Sequence, residues 1–422
     1  MKTTICRTRC GALGLCLLQG FFGFIAVSYA DQTITVSKSG SANYSSITAA
    51  YQSIPTTDGA LTDNWTIEVL DTAIYEESLI IYNLGTSSKA QLTICSSVPN
   101  ADNKPTIYPK APGERPILIH GTAFVTINGF VFKNHPLKAK STQAMTTFEG
   151  GSENDPPLQS KVMWDYCVWD GQGQVYPSNI LRCWLPQCNI TVRNSTFKNV
   201  KIGTGEALVY LGMRYKEMDT APTFEFINNT VINNTGARVW LEGNPNGEYY
   251  NSIVLRGNIF TGNGSQYHLV NILNQRAEND ISDNHFYGNR LNGGTLLVRD
   301  SGNTLIAGNW FLQNGGATEV YLIDYSSKPT IALTENTLGP SSGAHFGVAV
   351  YGEPELTSSG NLFYSNYKTK DPWNTPGTDI VALWGNSLLT IDQWNDKTPT
   401  PTDGQDDLAA PGIRPPATPP TP

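Results

Sequence analysis

The chain has 422 residues, 39% hydrophobic, 15% charged and 10% aromatic, with 39 glycines, 26 prolines and a formal charge of −8. That length can bury a large core, which excludes disorder throughout. Low charge beside abundant Gly, Asn, Thr and aromatic residues excludes a helical bundle, and an acidic balance without a Lys/Arg tract excludes a nucleic-acid binder.

The chain opens with Lys2, Arg7 and Arg9, an apolar run from Gly11 to Val27, and Ser28-Tyr-Ala30 before Asp31. This is the order of a cleaved secretory signal, so residues 1–30 are expected to be removed. The formal charge then moves to about −11. Gln19 and several glycines interrupt the run, which is short for a membrane span. No later segment is apolar enough to cross a bilayer. The expected location is secreted, periplasmic or cell-surface.

Ser45 or Ser46 is placed to cap a short helix with Ile47, Tyr51 and Ile54 on one face. Such a helix would cover the open edge of a first β-layer. Cys95 and Cys167 sit in strand-like runs and read as core residues. Cys183-Trp-Leu-Pro-Gln-Cys188 is spaced to close a small disulfide loop in an oxidising compartment. Asp165 and Asp170 could be paired glycosidase carboxylates, but capping of turns explains them more simply.

The dominant feature is a repeat. Asn194-Ser-Thr-Phe197-Lys-Asn199 recurs around Asn258 and Phe260, Asn284 and Phe286, Asn309 and Phe311, and Asn361 and Phe363. Looser copies begin at Asn229 and Asn336, and Asn128-Gly-Phe130 is an early one. Each copy follows a short alternating strand, and another apolar strand lies midway to the next. Two or three short strands per period with no helical segment describe one turn of a β-coil. The Asn suits a tight bend, tolerating left-handed backbone and bonding its equivalents on adjacent turns. The Phe fills the core. Near the C-terminus, Ser387-Leu-Leu-Thr-Ile391-Asp-Gln-Trp394 and then Gly404-Gln-Asp406 resemble the close of many bacterial secreted β-helix domains, while the Pro- and Thr-rich segment from Thr398 reads as a flexible tail. The expectation is one domain, residues 31–397, plus a tail, residues 398–422.

With these repeats the chain resembles the right-handed parallel β-helix, pectin-lyase-like secreted proteins, in which an Asn-x-Phe corner marks successive coils. The fold implied is an all-β solenoid with a short N-terminal capping helix. Exported β-helices of this kind often handle long polysaccharides. By alternation Tyr210, Trp240, Glu242, His268, Arg299, Tyr321 and Tyr351 project from the mid-coil strands. Aromatic rings suit the apolar faces of sugars, and the arginine fork suits carboxylate or sulfate.

Gly294 to Phe311 also resembles one coil of the chondroitinase B and alginate lyase family. That resemblance gives Arg299 the part of acid or charge stabiliser. The family's catalytic Lys would fall near Gln275, where the neighbour is Arg276, so His268 would have to serve as base. The family's calcium ligands would fall near Gln266 to His268, where no carboxylate stands. Calcium is therefore the one cofactor the resemblance suggests, with no metal ligands to name. The first reading is a monomeric, exported β-helix that binds an acidic polysaccharide and cleaves it by β-elimination. In it Arg299, His268 and Arg276 are catalytic, and Tyr210, Trp240, Glu242, Tyr321 and Tyr351 bind substrate. The second is a non-catalytic surface or adhesion rod.

Overall fold

The computed structural model describes residues 31–57, 60–82, 90–121, 124–135, 144–149, 160–176, 178–184, 188–203, 205–212, 223–242, 252–275, 277–325, 328–339, 346–364, 380–398 and 406–408. The expected targeting segment, Arg276 and most of the expected tail lie outside these residues. Most of the described strands form three sheets of twelve, beside three small two-stranded sheets, and in each large sheet the neighbours come from successive coils of the chain. The first sheet runs from Asp31–Val36 to Glu355–Ser359, and the second from Ile74–Glu76 to Asp407–Leu408. The third runs from Leu79–Tyr82 to Ser387–Thr390. Pairing is parallel throughout these three sheets except where Ile380–Trp384 and Ser387–Thr390 close the third with an antiparallel hairpin. At roughly 4.8 Å per strand, twelve layers make a rod on the order of 50 Å long.

The core follows from the alternation. The repeated aromatic falls in one column of the second sheet, where Phe197, Val231, Phe260, Phe286 and Phe311 are in register. All are fully buried. Phe260, Phe286 and Phe311 stack at 4.8 and 4.9 Å between ring centroids.

The repeated asparagines form two buried ladders. In the first, the backbone N–H and Nδ2 of Asn284 donate to Oδ1 of Asn309 at 3.0 and 2.9 Å. Asn309 donates in the same way to Asn336, and Nδ2 of each also reaches a carbonyl of the preceding coil. The run extends from Asn229 through Asn258, Asn284, Asn309 and Asn336 to Asn361. The second runs through Asn234, Asn263, Asn289 and Asn314.

Three details differ from the sequence reading. Asn194, Asn199 and Asn233 take the left-handed bend expected of the repeated asparagine, but along the ladders the left-handed residue is the one before the ladder asparagine, as at Asn228, Gly257, Asp283, Gly308, Glu335 and Gly360. The ladder residue itself supplies hydrogen bonds rather than the bend. In the coil at Asn194, Ser195 takes the ladder position, and its hydroxyl accepts from the Cys167 N–H at 3.0 Å while its own N–H donates to Asn229. Asn128 likewise lies in a strand of the first sheet, not on a ladder. Finally, the described residues of the segment read as a tail, Thr398 and Asp406 to Leu408, pack on the fold. Thr398 is buried, Asp407–Leu408 pairs with Leu362–Phe363, and Asp406 is 2% exposed. Asp406 Oδ1 accepts from the N–H and Nδ2 of Asn361 at 2.8 and 2.9 Å, taking the place of a further asparagine. Its Oδ2 accepts from Trp394 Nε1 at 2.7 Å and from the Ser358 hydroxyl.

Along the first ladder, from Asn228 to Gly360, the left-handed corners alternate between a side chain and glycine; along the second they run Asn233, Gly262, Gly288 and Gln313. A Cβ at Gly308 (φ +63°) would stand 2.7 Å from Asp283 Oδ1 on the preceding coil, whereas one at Gly288, also at φ +63°, would meet nothing within 4 Å. Gly308→Ala should therefore cost about 2–3 kcal/mol and Gly288→Ala about 1 kcal/mol. Chemical denaturation of both variants checks this; equal losses would mean that Asp283 simply swings away.

At the N-terminal end, α1 (Ile47–Gln52) starts at Ser46, whose Oγ accepts from the Ala49 N–H at 3.1 Å. Glu77 accepts from the N–H groups of Ile47 and Thr48 at 2.9 and 2.8 Å, and Ile47 and Ala50 are buried. At the other end α2 (Ile391–Lys397) carries a capping box between Thr390 and Gln393 and buries Trp394.

Candidate carbohydrate-binding face

The mid-coil strands named from the sequence are the third sheet, and their outward side chains form two rows. One row reads Arg182, Tyr210, Trp240, Asn271, Leu297, Tyr321. The other, two residues further along each strand, reads Trp184, Gly212, Glu242, Leu273, Arg299, Ile323, Tyr351. Successive members of a row are one coil apart.

Two clusters occupy this face. The first is a pocket of about 300 Å³ lined by Ser178, Asn179, Arg182, Trp184, Gly205, Glu206, Tyr210 and Trp240. Trp184 stacks near Tyr210 at 5.8 Å, and Tyr210 meets Trp240 edge-on at 5.7 Å. Arg182 lies 4.9 Å over the Trp184 ring, and no carboxylate among the described residues pairs with it. Arg238 lies 3.8 Å over the Trp240 ring. A guanidinium held on an aromatic face keeps its edge N–H groups for a planar anion.

The second cluster is His268, Tyr321 and Tyr351. Tyr321 sits edge-on to His268 at 5.1 Å and stacks on Tyr351 at 6.0 Å. Burial, then the neighbouring Tyr321, raises the Tyr351 phenol above its ordinary value. Burial drops His268 to about 4. His268 Nδ1 accepts from the Gly294 N–H at 2.8 Å, so the neutral ring carries its proton on Nε2. With that lone pair engaged, the neutral ring has no free acceptor for the proton that a base would take, and its Nε2–H remains as a donor.

The sign of its pH effect follows. Between an unfolded value near 6.5 and a folded value of about 4, the unfolded chain binds more protons. This contribution to stability is complete above about pH 6.5 and is lost progressively as pH falls through 4, amounting to about 3 kcal/mol. Urea titrations from pH 7 to 4 should show a shallower acid loss in His268→Gln; identical slopes would place the effect elsewhere.

Arg299 and Glu242 border the two clusters. Arg299 is 44% exposed on its side chain, with Nε 3.9 Å from Asp300 Oδ2, a loose contact that leaves the fork available. Glu242 is raised above its ordinary value by burial, against the pull of Arg299 and Arg238. The structure thus brings Tyr210 and Trp240 into one pocket, and His268, Tyr321 and Tyr351 into a neighbouring group. It does not put Arg299 in the pocket; the residue in register with Arg182 on its coil is Leu297. Arg276 lies outside the described residues.

Arg182 and Trp184 were missed in the sequence because the Cys183–Cys188 spacing suggested a loop. Leu181–Trp184 is instead a strand of the third sheet, with Cys183 a free, fully buried thiol. Alignment of Arg182-Cys-Trp184 with Tyr210-Leu-Gly212 one period later would have found them. Asp165 and Asp170 do not form a pair. Asp165, in the first sheet, is 4% exposed and accepts from Arg193 Nη2 and Asn194 Nδ2 at 2.8 and 2.9 Å. Asp170, in the second, accepts from the Gln172 N–H at 3.0 Å. Among the described residues no group of three or more His, Cys, Asp or Glu side chains is placed to hold a metal ion, and no helix is long and apolar enough to cross a membrane.

The family model of the right-handed β-helix region matches residues 217–391, and the fold is a right-handed parallel β-helix. No curated protein matches the chain. An alginate lyase from Paenibacillus sp. str. FPU-7 is similar in fold at 12% identity and a TM-score of 0.39, over 84% of this chain and 98% of that one. A PL6 family polysaccharide lyase from Pseudopedobacter saltans aligns at 11% identity and a TM-score of 0.36, over 87% and 95%. The pectin methylesterase from carrot aligns at 8% and 0.33, over 67% and 82%.

Proposed function

We propose that the chain is an exported, monomeric β-helix protein whose third sheet binds an acidic polysaccharide along its outer face. The observation that carries this reading is the pocket in which Arg182 lies over Trp184, beside Tyr210 and Trp240. Aromatic walls suit the C–H faces of sugars, and a cation with no carboxylate partner among the described residues suits a uronate or sulfate group. Further along the face, Arg299 would meet a second anionic group, with His268 donating a hydrogen bond and Tyr321 and Tyr351 packing beside it. In the same reading α1 shields the edge of the first coil, so that the rod stays single.

Cleavage is the narrower version of this function. β-Elimination needs a cation on the uronate carboxylate, a base for the C5 proton and an acid for the leaving oxygen. Arg299 fits the first part, and the half-buried Glu242, two coils away in the same row, is a carboxyl group suited to proton transfer. The test is to offer alginate, pectate, chondroitin, dermatan and hyaluronan, with neutral dextran as control. Retardation on an acidic polymer in an affinity gel supports binding. A rise in ultraviolet absorbance from new C=C bonds, lost in Arg299→Ala, adds the lyase step. No retardation on any acidic polymer would overturn the reading in favour of a structural rod.

A further inference from the structure

We infer that Arg238 is the positioning residue of the pocket: it holds the rim formed by Gly205 and Glu206 and the wall formed by Trp240 in one arrangement. This rests on the proposed binding function and deepens it. Arg238 immediately precedes the strand Val239–Glu242, and it is 7% exposed. Its Nε donates to the Glu206 carbonyl at 2.9 Å, and its Nη2 donates to the Gly205 carbonyl. One face of the guanidinium therefore stays free to lie 3.8 Å over Trp240, and the Tyr267 ring is 4.9 Å away. Gly205, Glu206 and Trp240 all line the pocket.

The chemistry requires this residue type. Two consecutive carbonyls at a turn present a pair of acceptors that the rigid Arg fork fills together, whereas a lysine ammonium lacks both the fork and the plane that stacks on indole. The rim is also tied by the Ala207 N–H, which donates to Asn179 Oδ1 at 2.7 Å, and by the Glu206 N–H, which donates to the Gly203 carbonyl at 3.4 Å; Asn179 lines the pocket as well. Rim and wall come from successive coils of the third sheet, where Tyr210 faces Trp240 in register. Backbone pairing fixes the spacing of those coils but not the angle of the indole or the path of the turn. Arg238 fixes both. It is a positioning residue, because Nε and Nη2 are engaged by the rim carbonyls and the side chain is buried behind Trp240.

The test uses the whole chain with Arg238→Lys and Arg238→Met, read by amide hydrogen exchange and by affinity for the acidic polymer that wild type retains. Exchange at Glu206 and Ala207 should quicken at least tenfold in both variants, with the ladder amides of Asn284 and Asn309 unchanged. The dissociation constant should rise about tenfold or more in both, since neither restores the fork. Unchanged exchange at Glu206 and Ala207 overturns the proposal. Uniformly faster exchange across the ladders also overturns it, as Arg238 would then be a general stability element. If wild type binds no polymer, the binding function fails, and the exchange at the rim decides the role of Arg238 alone.

Discussion

Asn309→Ala is expected to lower the stability of the solenoid by about 3–5 kcal/mol, the upper range for a single substitution. Asn309 is fully buried. Its Oδ1 accepts from the N–H and Nδ2 of Asn284 at 3.0 and 2.9 Å, and its Nδ2 donates to the carbonyl of Ile281 at 2.7 Å and to Oδ1 of Asn336 at 3.0 Å. Alanine removes one side of four hydrogen bonds and leaves their partners without water. Each orphaned buried group costs about 1–3 kcal/mol, reduced here because Asn284 Nδ2 retains Leu255 and Asn336 Oδ1 retains the Asn309 N–H. Because coils touch only their neighbours, the loss should be local. Urea denaturation gives the magnitude, and hydrogen exchange should show opening centred on the coils at Asn284, Asn309 and Asn336. A loss below about 1 kcal/mol would mean that ordered water replaces the amide.

Trp240→Ala and Arg182→Gln are expected to weaken binding of an acidic polymer about 30- to 100-fold and about 10-fold, respectively. Trp240 is both a pocket wall and the surface on which Arg238 lies, so its removal unseats two elements together. Arg182 contributes a charge, and its loss should also flatten the salt dependence of binding, whereas Trp240→Ala should leave that slope intact. Calorimetry at two ionic strengths separates the two effects. Equal salt slopes in wild type and Arg182→Gln would remove Arg182 from the anion site.

The repeat carried most of the fold because its period is set by backbone geometry: one ladder residue and one core aromatic per coil. The Phe column was legible for that reason, as were the third-sheet strands. Local bend conformation was less so, since Asn228, Asp283 and Glu335 share a left-handed corner while differing in chemistry. Ser195 was hidden because its coil carries one more residue between Asn194 and Phe197 than lies between Asn258 and Phe260. The pocket was half visible. Tyr210 and Trp240 follow from alternation, but Arg182, Arg238 and the rim at Gly205 and Glu206 depend on which coils are neighbours, and spacing between cysteines pointed elsewhere. Asp406 could not be found by periodicity, because it returns from a Pro-rich segment to end a ladder it does not belong to.

That last rung gives the rod a polarity. Along the first ladder the backbone N–H and one Nδ2 proton of each asparagine point toward the C-terminal end, and its Oδ1 accepts from the N-terminal side. A final asparagine would leave two N–H groups pointing outward, a ready template for another molecule's first coil and for growth into a filament. An ionised carboxylate accepts and has nothing to pass on. Asp406 is therefore a chain terminator in the sense used for polymers: it satisfies the growing end while removing the group that could propagate it.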